Sequence, residues 1–174
     1  RKADGMTALI ESRIRAIPDF PKPGILFRDL TPLLADGQAF AATTDALARI
    51  AGDFHLIAGV EARGFVFGAA LAQKMGKGLI LIRKPGKLPG ETVGLDYGLE
   101  YGRDRLELHR HDLPRGARVL LVDDVLATGG TAEAAVQLLT TAGATVTRAI
   151  FVIELADLAG GARLGVPHES LIRY

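Results

Sequence analysis

A chain of 174 residues, 48% hydrophobic and 24% charged, is expected to fold as one domain with a sizeable core and is too short for two ordinary ones. Its 21 basic and 20 acidic residues leave a net charge of +1, which argues against a broad basic face for nucleic acid, and no apolar run approaches the roughly 18 residues of a membrane span. With no cysteine, disulfide stapling and thiolate metal sites are excluded, and the cytoplasm is the expected compartment.

The first five residues, Arg1 to Gly5, hold no apolar segment of the kind a secretory signal needs and read as a trimmed or added start. Ile10, Ile14 and Ile17 at helical spacing predict a short amphipathic helix from near Thr7, closed by Pro18. Residues 18–32 carry Pro18, Pro21, Pro23 and Pro32, which forbid regular helix and leave a stiff, extended segment. Its Phe20 and Phe27 either wall a site or plug the core. Asp36 can cap a second helix whose buried stripe is Phe40, Thr44, Leu47 and Ala51, with Gly52 placed for a left-handed stop.

The period then switches. Residues 55–60 form an apolar run of strand length, followed by Glu61-Ala62-Arg63-Gly64, an apolar helix over 65–75 stopped by Gly76, and a second buried strand over 79–82. Strand, turn, helix, strand is the pattern of a right-handed crossover in a parallel sheet. Residues 83–104 break the rhythm, because Lys84-Pro85-Gly86-Lys87-Leu88-Pro89-Gly90 cannot be regular and Gly94, Gly98 and Gly102 keep the rest pliable. A structureless segment of this length in a compact domain reads as a flexible active-site lid over 84–104. Residues 105–109 alternate and predict a half-exposed strand, while His109 and His111 lack a third metal partner and read as surface residues.

Residues 119–131 read Val-Leu-Leu-Val-Asp-Asp-Val-Leu-Ala-Thr-Gly-Gly-Thr. An apolar strand ends in Asp123 and Asp124, and a loop, Ala127-Thr128-Gly129-Gly130-Thr131, leads into a helix over 130–142 with Ala135, Leu138 and Leu139 inward and Gly143 as stop. A long strand over 145–155, a Gly-Gly turn at Gly160 and an apolar Leu171-Ile172 in a last strand complete the chain. Strands alternating with helices make a doubly wound α/β fold, a mostly parallel twisted sheet flanked by helices, with sites at the carboxyl ends of its strands.

The two glycines let successive N–H groups of the loop point at one spot, the helix adds its positive end, and Thr128 and Thr131 can donate hydroxyl bonds. This is a cradle for one phosphate group. It is not a Walker loop, since no lysine follows the second glycine. Asp123 and Asp124 would repel a bare phosphate, so they fit a ligand with hydroxyl donors, or a divalent cation, a few ångström away. A ribose 5-phosphate satisfies both demands, its 2′ and 3′ hydroxyls meeting the acids. A solvated strand end followed by a Gly-Gly turn would carry the same residues without a ligand.

Residues 119–131 resemble the phosphoribosyl pyrophosphate signature of the type I phosphoribosyltransferases. Residues 17–32, 61–65, 83–89 and 99–102 further resemble the adenine phosphoribosyltransferase family, in the right order and across most of the chain. The resemblance implies that adenine N9 displaces pyrophosphate from C1′ of phosphoribosyl pyrophosphate, giving AMP, within a fold carrying a flexible lid and an N-terminal base-binding hood. It implies a pyrophosphate loop at Ala62, Arg63 and Gly64, with Lys84 and Lys87 as further partners for the pyrophosphate charge, reaching a neighbouring subunit's site as in related dimers. Mg²⁺ is expected to be held by substrate oxygens and water, with no metal cage made by the protein.

For the base, the resemblance implies stacking of adenine on Phe27, edge recognition by backbone groups near Leu26 and Arg28, and cover from Val125 or Leu126. A fixed carbonyl that accepts from the 6-amino group would reject an oxopurine, by about 10⁴-fold. Glu100, in the lid, is the candidate for proton transfer, since closure would remove it from water and raise its pKa. Ala62 stands where many family members carry serine, and Val125 where leucine is frequent; neither change removes a required group. A homodimer is expected by resemblance, with no nucleic acid or membrane partner. Two other readings stay open: an oxopurine phosphoribosyltransferase, and a phosphoribosyl-pyrophosphate-sensing regulator that binds RNA or DNA.

Overall fold

The computed structural model describes residues 2–98 and 104–174. The chain divides into two compact units, Arg1–Ala46 and Leu47–Tyr174.

The first unit begins with helix α1 (Lys2–Ser12), followed by strands β1 (Arg15–Pro18) and β2 (Leu26–Asp29) paired antiparallel, a short helix α2 (Thr31–Ala35), and the start of helix α3 (Gly37–Ile50). The helix expected to reach Ile17 therefore stops earlier. Ile17 instead faces Phe27 in the β1–β2 ladder, because the proline-rich segment returns as a strand and offers residues 15–18 a hydrogen-bonding partner. Arg15 Nη2 donates to Asp29 Oδ2 at 2.6 Å across the same ladder. Asp29 also accepts from Thr31 N, and this bond together with Arg15 holds its carboxyl down at about 2. Asp36 caps α3 as its position implied, Oδ1 accepting from the N–H of Gln38 at 3.0 Å and Ala39 at 3.2 Å. Thr44, Leu47 and Ala51 are buried on the α3 stripe, Phe40 partly so, and Gly52 takes the left-handed conformation after it.

The second unit continues with β3 (Leu56–Val60), α4 (Arg63–Met75), β4 (Gly78–Ile82), β5 (Thr92–Tyr97), β6 (Asp104–His109), β7 (Arg118–Leu126), α5 (Gly130–Thr141), β8 (Thr145–Glu154) and β9 (His168–Arg173). Five strands form one sheet in the order β4-β3-β7-β8-β9, and every pairing in it is parallel. Val119 and Leu121 point from β7 into a cluster that includes Ala135, Leu138 and Leu139 of α5, while α4 packs on β3 and β7. Leu120 and Val122 are equally buried outside that cluster, so β7 is covered on both faces, which is why residues 119–122 are continuously apolar.

Two further expectations need correction. Residues 83–104 are not structureless throughout: 92–97 form β5, paired antiparallel with β6 along its whole length. Val93, Leu95 and Tyr97 alternate onto the α5 side of the core, and that burial outweighs the glycine between them. Asp123 and Asp124 do not end a strand either. β7 runs on to Leu126 because β8 pairs with it to the end, Asp123 facing Phe151 and Leu126 facing Glu154.

Candidate active site

The strand order reverses between β3 and β7: the chain leaves β3 to one side for β4 and later returns on the other side as β7. In an open parallel sheet that reversal leaves a crevice at the carboxyl ends of the two strands. Glu61-Ala62-Arg63-Gly64 follows β3, and the two aspartates and the 127–131 loop lie at the end of β7, so topology alone brings these segments to one place.

Gly64 is packed against Asp123 so closely that a Cβ would stand 2.7 Å from Asp123 Oδ1 and 3.1 Å from the Val122 carbonyl. Only glycine fits at that crossing. Arg63 Nε donates to Asp124 Oδ2, not to Glu61 as simple proximity in sequence would allow. Glu61 pairs instead with Arg83, 2.8 Å away, and its Oε1 also accepts from the Lys84 N–H at 3.4 Å. Burial pushes the Glu61 carboxyl up, but the bonds from Arg83 and Lys84 outweigh it and leave the group below its ordinary range. The segment after β3 is thus tied to the segment after β4. Lys84 Nζ lies 3.2 Å from the Tyr97 hydroxyl, and Lys87 is exposed.

The two aspartates have unlike environments. Asp123 Oδ1 accepts from Asp124 N at 2.8 Å, and burial, reinforced by the neighbouring Asp124 charge, raises the Asp123 pKa well above that of an ordinary aspartate. Asp124 faces Arg63. One carboxyl is thus shifted toward its neutral form by burial, while the other faces a guanidinium.

Beyond β7 lies a cavity of about 100 Å³ lined by Asp123, Val125 and residues 126–132. The space is more than one water needs, and its lining of a glycine loop and a helix start suits a small anion such as a phosphate group. Gly129 sits at φ 87°, a left-handed conformation that glycine takes at no steric cost, and caps α5 without any side-chain hydrogen bond. The first N–H groups of a 12-residue helix therefore open toward this space, where an anion can meet them. Leu126 is buried in the core, whereas Val125 is partly exposed at the rim, so of the two residues considered for covering a base Val125 is the accessible one.

The geometry of a phosphate cradle beside paired acids is matched by kinship. A model of the phosphoribosyl transferase domain fits residues 31–167. An adenine phosphoribosyltransferase of Streptomyces coelicolor is 53% identical over 175 residues, covering 97% of this chain and 96% of its own. The chain belongs to the phosphoribosyl transferase family, in its adenine phosphoribosyltransferase branch. The crystal structure of adenine phosphoribosyltransferase from Thermoanaerobacter pseudethanolicus superposes with a TM-score of 0.93 at 48% identity, covering 97% of this chain and 99% of that one. That of the Saccharomyces cerevisiae adenine phosphoribosyltransferase, complexed with an imino-altritol bisphosphate and adenine, gives 0.91 at 36% identity, with coverage of 97% and 99%.

For this phosphoribosyl transferase, the structure brings Arg63, Gly64, Asp123, Asp124 and the 127–131 loop into one region of the second unit. Leu26, Phe27 and Arg28 lie on β2 of the first unit, where the rings of Phe27 and Phe20 meet edge to face with centroids 5.1 Å apart. Leu26 is exposed and Phe27 partly so. Glu100 lies outside the described residues. Among the described residues no three metal-ligating side chains cluster, and no helix is long and apolar enough to cross a membrane. Sequence reasoning missed Glu61 and Arg83 as a brace between two loops, and the Gly160 turn as a neighbour of the phosphate cradle. The repeated glycine at 160 and 161 marks a turn, but nothing in residue order ties that turn to the cradle.

Proposed function

We propose that the enzyme transfers the 5-phosphoribosyl group from phosphoribosyl pyrophosphate to N9 of adenine, releasing pyrophosphate and giving AMP. The cradle at 127–131 beside Asp123 and Asp124, at the switch point of the sheet, supports this most directly, and full-length likeness to adenine phosphoribosyltransferases favours adenine over the oxopurines. No observation favours a nucleic-acid-binding regulator.

In this reading residues 127–131 hold the 5-phosphate on backbone N–H groups and the hydroxyls of Thr128 and Thr131. Asp124 and Asp123 receive the ribose 2′ and 3′ hydroxyls. Arg63, with the backbone of Ala62 and Gly64, takes the pyrophosphate, aided by Lys84 and Lys87, whose segment Glu61 and Arg83 hold against the Arg63 turn. By family resemblance Phe27 is assigned to stack on adenine, backbone groups of Leu26 and Arg28 to read its edge, and Val125 to contact the base. The C1′–oxygen bond to pyrophosphate breaks as the C1′–N9 bond forms, and the N9 proton leaves to Glu100. Magnesium bound with the substrate would be held by substrate oxygens and water and would supply neutralisation of the pyrophosphate charge. Asp123 and Asp124 would be the side chains whose oxygen donors suit such an ion.

By the same resemblance residues 84–104 are assigned as a lid that keeps water from an oxocarbenium-like transition state, and residues 18–32 as a base-binding hood. Related dimers lead us to a homodimer, working in the cytoplasm. Light scattering on the eluted protein gives the assembly state, a monomer mass excluding the dimer. The function is tested by steady-state turnover with Mg²⁺, phosphoribosyl pyrophosphate and a panel of adenine, hypoxanthine, guanine and xanthine. Adenine is expected to lead in kcat/KM by about 10⁴-fold; preference for an oxopurine would overturn the assignment.

A further inference from the structure

The short 3₁₀ turn over Gly160–Arg163, between β8 and β9, has no part in the ligand assignments above, yet it lies directly against the phosphate cradle. A Cβ on Gly160 would stand 2.3 Å from the Ala127 carbonyl oxygen and 2.8 Å from Gly129 N, and a Cβ on Gly129 would stand 2.4 Å from the Gly160 carbonyl oxygen. The two backbones are in contact with no room for a side chain from either. From the same turn Arg163 reaches the cradle loop: Nε donates to Glu133 Oε2 at 2.7 Å and Nη1 donates to the Thr128 carbonyl at 3.5 Å.

Glu133 is the point of interest. It stands in the first turn of α5. A carboxylate there suits the helix dipole, but it opposes any phosphate dianion drawn to the same helix end. Arg163 is the side chain that compensates it, and its second bond holds a carbonyl of the loop itself.

We propose that Arg163 is a positioning residue for phosphate binding: it cancels the Glu133 charge beside the cradle and fixes the Thr128 carbonyl, so that the loop presents donors rather than a carboxylate to the 5-phosphate. The proposal rests on the reading of residues 127–131 as the phosphate site. Arg163 touches no substrate atom in this role. It acts through Glu133 and Thr128.

The test is calorimetry on the full-length protein with ribose 5-phosphate and, separately, pyrophosphate. Arg163→Ala is expected to weaken ribose 5-phosphate by about tenfold and pyrophosphate by less than about twofold, since only the first ligand reaches the cradle. Adding Glu133→Gln to Arg163→Ala should restore at least about threefold, because the uncovered carboxylate is then gone. A merely structural arginine would weaken both ligands alike and would not be rescued by a second substitution; either result overturns the proposal, as does unchanged ribose 5-phosphate binding. Thr131→Val separates this failure from failure of the underlying reading. If Thr131→Val weakens ribose 5-phosphate and Arg163→Ala does not, the proposal about Arg163 alone falls. If neither variant matters, the assignment of the cradle falls with it.

Discussion

Arg63 and Asp124 face each other across the switch point of the sheet, the guanidinium from the turn after β3 donating to the carboxylate near the end of β7. A group assigned to pyrophosphate and a group assigned to the ribose are thus each other's partners in the free protein. The Asp124 charge is compensated by this guanidinium, and in the proposed reading both groups turn toward parts of the same ligand.

Arg63→Ala therefore removes two things, a donor for pyrophosphate and the counter-charge of Asp124. KM for phosphoribosyl pyrophosphate is expected to rise about tenfold or more, with KM for adenine changed less than about twofold. Arg63→Lys keeps the charge but not the fork of donors, and should recover only part of the loss. Initial-rate measurements with each substrate varied in turn give the comparison, and an equal rise in both KM values would remove Arg63 from pyrophosphate binding.

Asp123 makes a prediction about pH. Its folded pKa is raised by burial and by Asp124, above the ordinary 3.8 that the unfolded chain keeps. Between those two values the folded state holds a proton the unfolded state has released, so stability falls as pH rises through that window. Asp123→Asn carries no titrating group and can still accept from Asp124 N. It should flatten this part of the profile and melt no lower than the parent at neutral pH, as read by thermal melts across the acid-to-neutral range. A steeper profile in the variant would place the raised pKa elsewhere.

Gly64→Ala tests how tightly the crevice is built. A new methyl at 2.7 Å from Asp123 Oδ1 and 3.1 Å from the Val122 carbonyl must push α4 away from β7 or turn the aspartate. Overpacking of this kind costs about 1–3 kcal/mol, or a fall in Tm of roughly 2–12 °C for a chain of this size. Ribose 5-phosphate binding should weaken as well, because Asp123 is the atom displaced. An unchanged Tm with unchanged binding would mean that the helix start yields freely.

Most of the second unit could be read from residue order. The unbroken apolar runs at 56–60 and 119–122 announced strands covered on both sides, and the acids followed by Thr128-Gly129-Gly130-Thr131 announced a phosphate-sized turn before a helix. What residue order could not show was pairing at a distance. Residues 15–18 became a strand only because residues 26–29 returned beside them, and 92–97 did so because residues 104–109 were available to pair. For the same reason residue order offered Arg63 only Glu61, two residues away, and not Asp124, which the neighbouring of β3 and β7 alone brings within reach. The contact of Gly160 with the cradle joins residues some thirty positions apart, and no local pattern encodes it.

Glu100 carries the prediction closest to the chemistry. Adenine must shed its N9 proton as the new bond forms, and three carboxylates of the crevice are engaged: Asp124 with Arg63, Asp123 with Asp124 N, Glu61 with Arg83. In the proposed reading Glu100 takes the proton, and exclusion from water would raise its pKa toward the working pH. Glu100→Gln keeps the size and the acceptor oxygen but cannot accept a proton to become an acid. It should lower kcat by about 10²-fold or more while leaving both KM values nearly unchanged, and the acid limb of the kcat profile should disappear with it. Turnover close to that of the parent would show that the proton leaves by another route, with solvent or a substrate phosphate as the remaining acceptors.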